Sequence, residues 1–154
     1  MSAKPNPTKL SPYDPDGGGW TLLHFAAAEG RREVALFLIH HGLDVNAVTN
    51  EGMTPLQIAI RCHAKEEIVK QLLKRGANPN IKDQDGCTPL MDAVLASRPY
   101  WSAYAINIAR LLLKHGAEVD ATNNNSYTAV SLAICINAKN IAKFLIKIGA
   151  DSDI

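Results

Sequence analysis

The side chains best able to do chemistry in this 154-residue chain are its three cysteines and five histidines. Cys62, Cys87 and Cys135 lie 25 and 48 residues apart. An odd count at such wide spacing does not suit a disulfide-stapled secreted domain, and no pair has zinc-ligand spacing. They read as small apolar residues in a reducing compartment. Cys62-His63 is the one Cys/His neighbour pair. Adjacent residues at a helix end point in different directions, which argues against a nucleophile–base dyad. No GxSxG elbow, HExxH pair, Gly-rich phosphate loop or paired carboxylates occur. The run Gly17-Gly18-Gly19 has neither a preceding strand nor a following lysine and reads as a flexible joint. The expectation is a chain with no catalytic residue, metal or cofactor.

The elements that would position any functional residue come in copies. Gly19-Trp20-Thr21-Leu22-Leu23-His24 aligns with Gly52-Met53-Thr54-Pro55-Leu56-Gln57, Gly86-Cys87-Thr88-Pro89-Leu90-Met91 and Ser126-Tyr127-Thr128-Ala129-Val130-Ser131. Each copy continues into a short helical run, a turn and a second run ending at Gly42, Gly76, Gly116 or Gly149. Threonine to glycine spans 21 residues in copies one and four, 22 in copy two and 28 in copy three. The threonines suit N-caps, Pro55 and Pro89 suit first helical positions, and the glycines suit left-handed helix ends. His or Lys in the last turn complements the helix dipole. Ala26-Ala27, Ala59 and Ala93-Val94 put small side chains where stacked helices meet.

These residues closely resemble the ankyrin repeat, with its D-x-x-G-x-T-P-L-H-x-A-A start and L-L-x-x-G-A-D-V-N end. The resemblance covers about 16–154. It implies an all-α solenoid of four helix–turn–helix units with β-hairpin fingers, at about 16–48, 49–82, 83–122 and 123–154. Leu22 departs from the pattern's proline, Ser126 from its glycine, and only His24 keeps its histidine. The resemblance gives His24 a structural role. It also marks Asn46 and Asn80 as finger asparagines, a position hydroxylated in some animal proteins, although a plain turn role suffices. Residues 1–15, with Pro5, Pro7, Pro12 and Pro15, read as a flexible leader before a single domain. Unit four reads as a cap whose solvent stripe is Lys139, Asn140, Lys143 and Lys147.

Composition is that of a globular chain, 47% apolar and 20% charged. No apolar stretch reaches membrane-spanning length, and no secretory h-region is visible. Net charge is +1, with nine basic and eight acidic residues in 1–77 and seven of each in 78–154. That balance argues against a phosphate-tracking face. The expectations are a cytoplasmic protein with no nucleic acid and no membrane partner, monomeric, with a homodimer as the alternative.

Two features point to binding. Trp20, Met53, Cys87 and Tyr127 occupy a family position that tends to face the groove and would be wet, yet all are apolar. The ladder is padding for the fingers or a contact surface. Glu29, Asn50, Glu51, Arg61, Cys62, Gln84, Asp85 and Leu95 are neighbouring groove candidates. Copy three also carries a seven-residue insertion around Ser97–Ala105, nearly two helical turns. Trp101, Tyr104, Ala105, Ile108, Leu111 and Leu112 continue one apolar face, predicting a second helix from about Pro99 to His115. Three of the chain's nine aromatics, Tyr100, Trp101 and Tyr104, fall here. They form either a local lid or a contact site. The functional expectation is a non-enzymatic module that binds a folded protein through groove and fingers, acting by occupancy as inhibitor or adaptor. A self-associating subunit and an exported effector are the alternatives.

Overall fold

The computed structural model describes residues 17–98 and 100–152; side chains are described through Gly149, Pro99 apart. The leader assigned to 1–15 lies outside the described residues. Within these bounds the chain forms eight helices and no strand, divided into two compact units at Ala77 and Asn78. The fingers expected as β-hairpins are tight turns. Thr49 N–H donates to Met53 O at 3.0 Å and Gly52 N–H to Thr49 O at 2.9 Å. The same pair of bonds recurs at Asp83/Cys87 and at Asn123/Tyr127. One bonded residue pair per finger is too short a ladder to make a strand.

The unit through Ala77 holds α1 (Leu22–Ala28), α2 (Arg32–His40), α3 (Pro55–Arg61) and α4 (Glu66–Lys74). Helix α1 packs on α2 and α3, and α4 packs on α3 and α2. Thr21 and Thr54 cap α1 and α3 by accepting from the N–H groups of His24 and Gln57. The side chains of His24 and Gln57 return the bond to the cap backbone, closing capping boxes. Leu23, Leu56, Ile60, Ile68 and Leu72 are sealed from solvent, and Ala26, Ala27 and Ala59 let the helices approach closely.

The unit from Asn78 repeats this plan with α5 (Pro89–Leu95), α6 (Ser102–Lys114), α7 (Ala129–Cys135) and α8 (Lys139–Ser152). Helix α5 packs on α6 and α7, and α8 packs on α7 and α6. Its core is Leu90, Met91, Ile108, Leu112, Ile141 and Leu145. Thr88 caps α5 without a reciprocal partner, because Met91 offers only a weak thioether acceptor at the third helical position. The expected solvent stripe of Lys139, Asn140, Lys143 and Lys147 is exposed along α8.

Helices α2, α4 and α6 end through left-handed glycines, with φ of 90°, 93° and 91° at Gly42, Gly76 and Gly116. Leu43, Ala77 and Ala117 N–H groups reach back to Leu38, Leu72 and Leu112 carbonyls at 3.0–3.1 Å. These are Schellman closures. Gly149 corrects the expectation, since it lies inside α8, which runs on to Ser152. Asn46 Nδ2 donates to Gly76 O at 3.1 Å and Asn80 Nδ2 to Gly116 O at 2.9 Å. The corresponding residue one repeat before Gly149 is Asp120, and an ionised carboxylate has no proton to donate. A glycine within a helix costs only about 1 kcal/mol, so α8 continues through it.

The insertion also departs from expectation. Helix α6 starts at Ser102, with Trp101 as its uncapped flanking residue, and not near Pro99, which lies outside the described residues. Its 13 residues exceed the nine of α2 and α4 by one turn, not two. Before it, Arg98 N–H donates to Ala96 O at 2.9 Å and Trp101 N–H to Arg98 O at 2.7 Å.

Candidate functional site

Finger tips in each unit are tied to their predecessors by one asparagine. Asn50 donates through its backbone and side chain to Gly18 and Gly17 carbonyls. Asn124 does the same to the carbonyls of Asp85 and Gln84, at 3.0 and 2.9 Å. The approach is so close that a Cβ on Gly19 would lie 2.7 Å from Asn50 Oδ1, which explains the glycine there. Ser126 takes the same left-handed conformation, φ 62°, despite its side chain. Asn46 and Asn80 therefore do more than turn the chain, because each joins its finger to the end of the next repeat's second helix.

His24 is fully buried. Its Nδ1 accepts from Thr21 N–H at 3.0 Å, so Nε2 carries the proton and donates to Met53 O at 3.0 Å. Burial pushes its pKa down, against the pull of backbone carbonyls, and keeps the ring neutral. Nδ1 thus closes the turn of its own repeat and Nε2 ties that repeat to the next, which is a structural use. Partial burial pushes the Cys62 thiol up, away from thiolate reactivity. His63 beside it occupies a left-handed turn, φ 52°. Among the described residues no group of three or more His, Cys, Asp or Glu could hold a metal ion. No helix there is long and apolar enough to cross a membrane.

The ladder is uneven. Met53 and Cys87 are buried, with 7% and 8% of their surface exposed, although the family position tends to be wet. Asp83 Oδ1 accepts from Cys87 N–H at 2.9 Å, and Thr49 Oγ1 from Met53 N–H at 3.2 Å, drawing both residues in under their fingers. Trp20 is half-buried, its ring 5.0 Å from Phe25. Tyr127 alone stands out, 41% exposed. Arg61, Glu29, Asn50, Glu51, Gln84 and Asp85 are exposed, as expected of groove residues.

The insertion carries the most exposed large apolar side chain among the described residues of its unit. Tyr100 is 97% exposed and Trp101 44%. Tyr104 is half-buried and meets Trp101 edge to face at 5.8 Å. One turn further on, Ala105 and Ile108 are fully buried, so the apolar face predicted for α6 is core at its middle and surface at its start. Beside that start lies a cleft of about 620 Å³, lined by Leu95 and Ser97, Arg98 and Ser102 of the insertion, and residues 136–141. The α7–α8 turn that closes it passes through Asn137 in a left-handed conformation, φ 58°. Sequence reasoning singled out Leu95 but missed Ile136 and Lys139 as its neighbours, because nothing local reports that the two inter-helix turns meet.

The family model of ankyrin repeats in three copies matches residues 6–83, 44–102 and 63–154. An ankyrin repeat protein of fowlpox virus (strain NVSL) is 32% identical over 117 residues, covering 75% of this chain and 18% of the relative. Human Rabankyrin-5 is 34% identical over 130 residues, covering 77% and 11%. Human ankyrin repeat and SOCS box protein 6 is 31% identical over 123 residues, covering 79% and 29%. The chain thus spans between a tenth and a third of the length of these relatives. Ankyrin repeats are in general a protein–protein interaction fold. With a threonine cap on each of the four first helices, Schellman ends on the second helices of three repeats and asparagine-tied fingers, the chain belongs to the ankyrin-repeat family.

Proposed function

We propose that this chain is a non-enzymatic binding module that holds a folded protein partner and acts by occupancy, as an inhibitor or adaptor. The observation that carries the reading is the exposed apolar surface of the 78–152 region, where Leu95, Tyr100, Trp101 and Tyr127 stand in solvent on a scaffold of buried helices. Trp and Tyr are efficient anchors, since they cover much area for few rotors. Trp20, Arg61 and Tyr104 supply further contacts, while Met53 and Cys87 support the fingers from beneath. Stacked, capped helices pre-organise such contacts and lower the entropic cost of binding. Nothing in this reading calls for a cofactor, nucleic acid or membrane.

Affinity capture with the purified chain tests it, comparing wild type with Tyr100→Ala/Trp101→Ala and with Tyr127→Ala/Leu95→Ser. Circular dichroism and melting first establish that each variant is folded. A partner bound by wild type and weakened by about 2 kcal/mol or more in one variant is the expected result. A partner held equally by every variant would move the site elsewhere, and no partner at all would remove the reading.

Self-association is the second reading, and one observation favours it. Leu22, Val34 and Phe37 are exposed in the unit through Ala77, where a cleft of about 560 Å³ opens between Leu22, Phe25, Val34 and Leu38. A dimer that persists on dilution in light scattering, and is lost in Val34→Glu, would support it.

A further inference from the structure

The balanced charge of 78–154 conceals a separation. Residues 93–117 and 121–150 hold Arg98, Arg110, Lys114, Lys139, Lys143 and Lys147 and not one Asp or Glu. Two of these cations, Arg98 and Lys139, line the 620 Å³ cleft, and no acidic side chain does. Both are exposed, so the field they set up is uncompensated within the cleft wall. Its apolar lining is Leu95, Ile136 and Ile141, of which Leu95 and Ile136 are 43% and 44% exposed. The starts of α6 and α8 also border it, with Ser102 and Lys139 in the wall. First-turn N–H groups lack partners within their own helix, and the positive end of the dipole sits there. Neither first turn contains an acid to answer it, and no side chain caps α6.

We propose that this cleft docks an acidic segment of a protein partner, with carboxylates against Arg98 and Lys139 and an apolar side chain on Leu95 and Ile136. The proposal rests on the protein-binding reading and gives it a place and a partner chemistry. Charge complementarity selects the occupant. A nucleic acid would need a row of cations spaced along a backbone, and only two reach this cleft. A wall that combines exposed apolar side chains with two cations fits a peptide in which acidic and aliphatic residues alternate.

The test uses the full chain and a fluorescein-labelled peptide alternating glutamate with leucine, read by fluorescence anisotropy at low and high salt. A peptide with glutamine for glutamate and a single-stranded oligothymidine are run beside it. Arg98→Glu/Lys139→Glu, two exposed positions, is the test variant, and its melting temperature confirms folding. The expected result is saturable binding of the acidic peptide, weakened about tenfold or more by the double reversal, by the glutamine peptide and by salt. Amide shift changes should centre on 95–102 and 136–141. The proposal is overturned by no binding, by equal binding to wild type and variant, by shifts elsewhere, or by tighter binding of oligothymidine. The same variant is then tried on any partner found by affinity capture. A partner retained by Arg98→Glu/Lys139→Glu but lost by Tyr127→Ala alone, a position outside the cleft lining, defeats the cleft and leaves the binding-module reading standing.

Discussion

Helices α4 and α6 occupy the same place in their repeats, yet they agree only at one end. From Leu72 and Leu112 onward the two match step for step: a sealed leucine, a lysine in the last turn, a left-handed glycine and an alanine whose N–H closes the Schellman loop. Their first turns share nothing. Helix α4 opens on Glu66 and Glu67, which answer its own dipole. Helix α6 opens on Ser102, Ala103 and Tyr104, with no acid and with Trp101 exposed before it. The repeat's second helix is therefore fixed where it meets the core and free to vary where it meets the inter-helix turn. An insertion placed at that free end changes surface chemistry without disturbing the stack.

The agreement at the core ends is open to the strongest test. Leu72→Ala and Leu112→Ala each remove a side chain with essentially no exposure, and each should cost about 2–5 kcal/mol. Chemical denaturation should place both losses within that range, a spread of about 2 kcal/mol being normal at fixed chemistry. By contrast Tyr100→Ala, at a position 97% exposed, should lie within about 0.5 kcal/mol of wild type. A large loss for Tyr100→Ala would make the insertion part of the core and undo the division between the two ends.

The glycine ends are open to a smaller test. Asn80 is bonded twice at the end of α6, donating to Gly116 O and accepting from Glu118 N–H at 2.9 Å. Each exposed bond contributes on the order of 1 kcal/mol or less. Asn80→Ala should therefore lower stability by about 1–2 kcal/mol, read by chemical denaturation. A loss near zero would mean that both bonds are replaced by water without penalty.

How much of this was legible depended on whether a residue's role is local. Thr21, Thr54, Thr88 and Thr128 cap their helices as the sequence implies, because the partner N–H lies three residues away. Gly42, Gly76 and Gly116 obey the same local logic. Gly149 did not, since whether a glycine ends a helix depends also on what receives the chain beyond it. The insertion's length was readable, but its division into one turn of helix and a loop was not, because periodicity extends through any apolar run of the right spacing. The choice between padding and contact surface at Met53 and Cys87 was not legible, because their burial rests on bonds to the Thr49 and Asp83 side chains that draw the finger over them. The cleft was out of reach for the same reason, since Leu95 and Ile136 are 41 residues apart in the chain.

The smallest effect bears most directly on why α6 differs from α4. If the start of α6 is electrostatically unanswered, giving it the acid that α4 already has should help the isolated protein. Ser102→Glu places a carboxylate in the first turn, where it should add about 0.3–1 kcal/mol of stability at low ionic strength, fading with salt. The same carboxylate lies in the cleft wall that Arg98 and Lys139 also line. It should compete with an incoming acidic peptide and weaken its binding, so that stability rises while affinity falls. Melting and peptide titration on one variant separate the causes. A gain in stability with undiminished peptide binding would leave the dipole argument intact and detach the cleft from it. A loss of both would show that Ser102 is needed for the local fold, and that the first turn of α6 is less free to vary than that of α4.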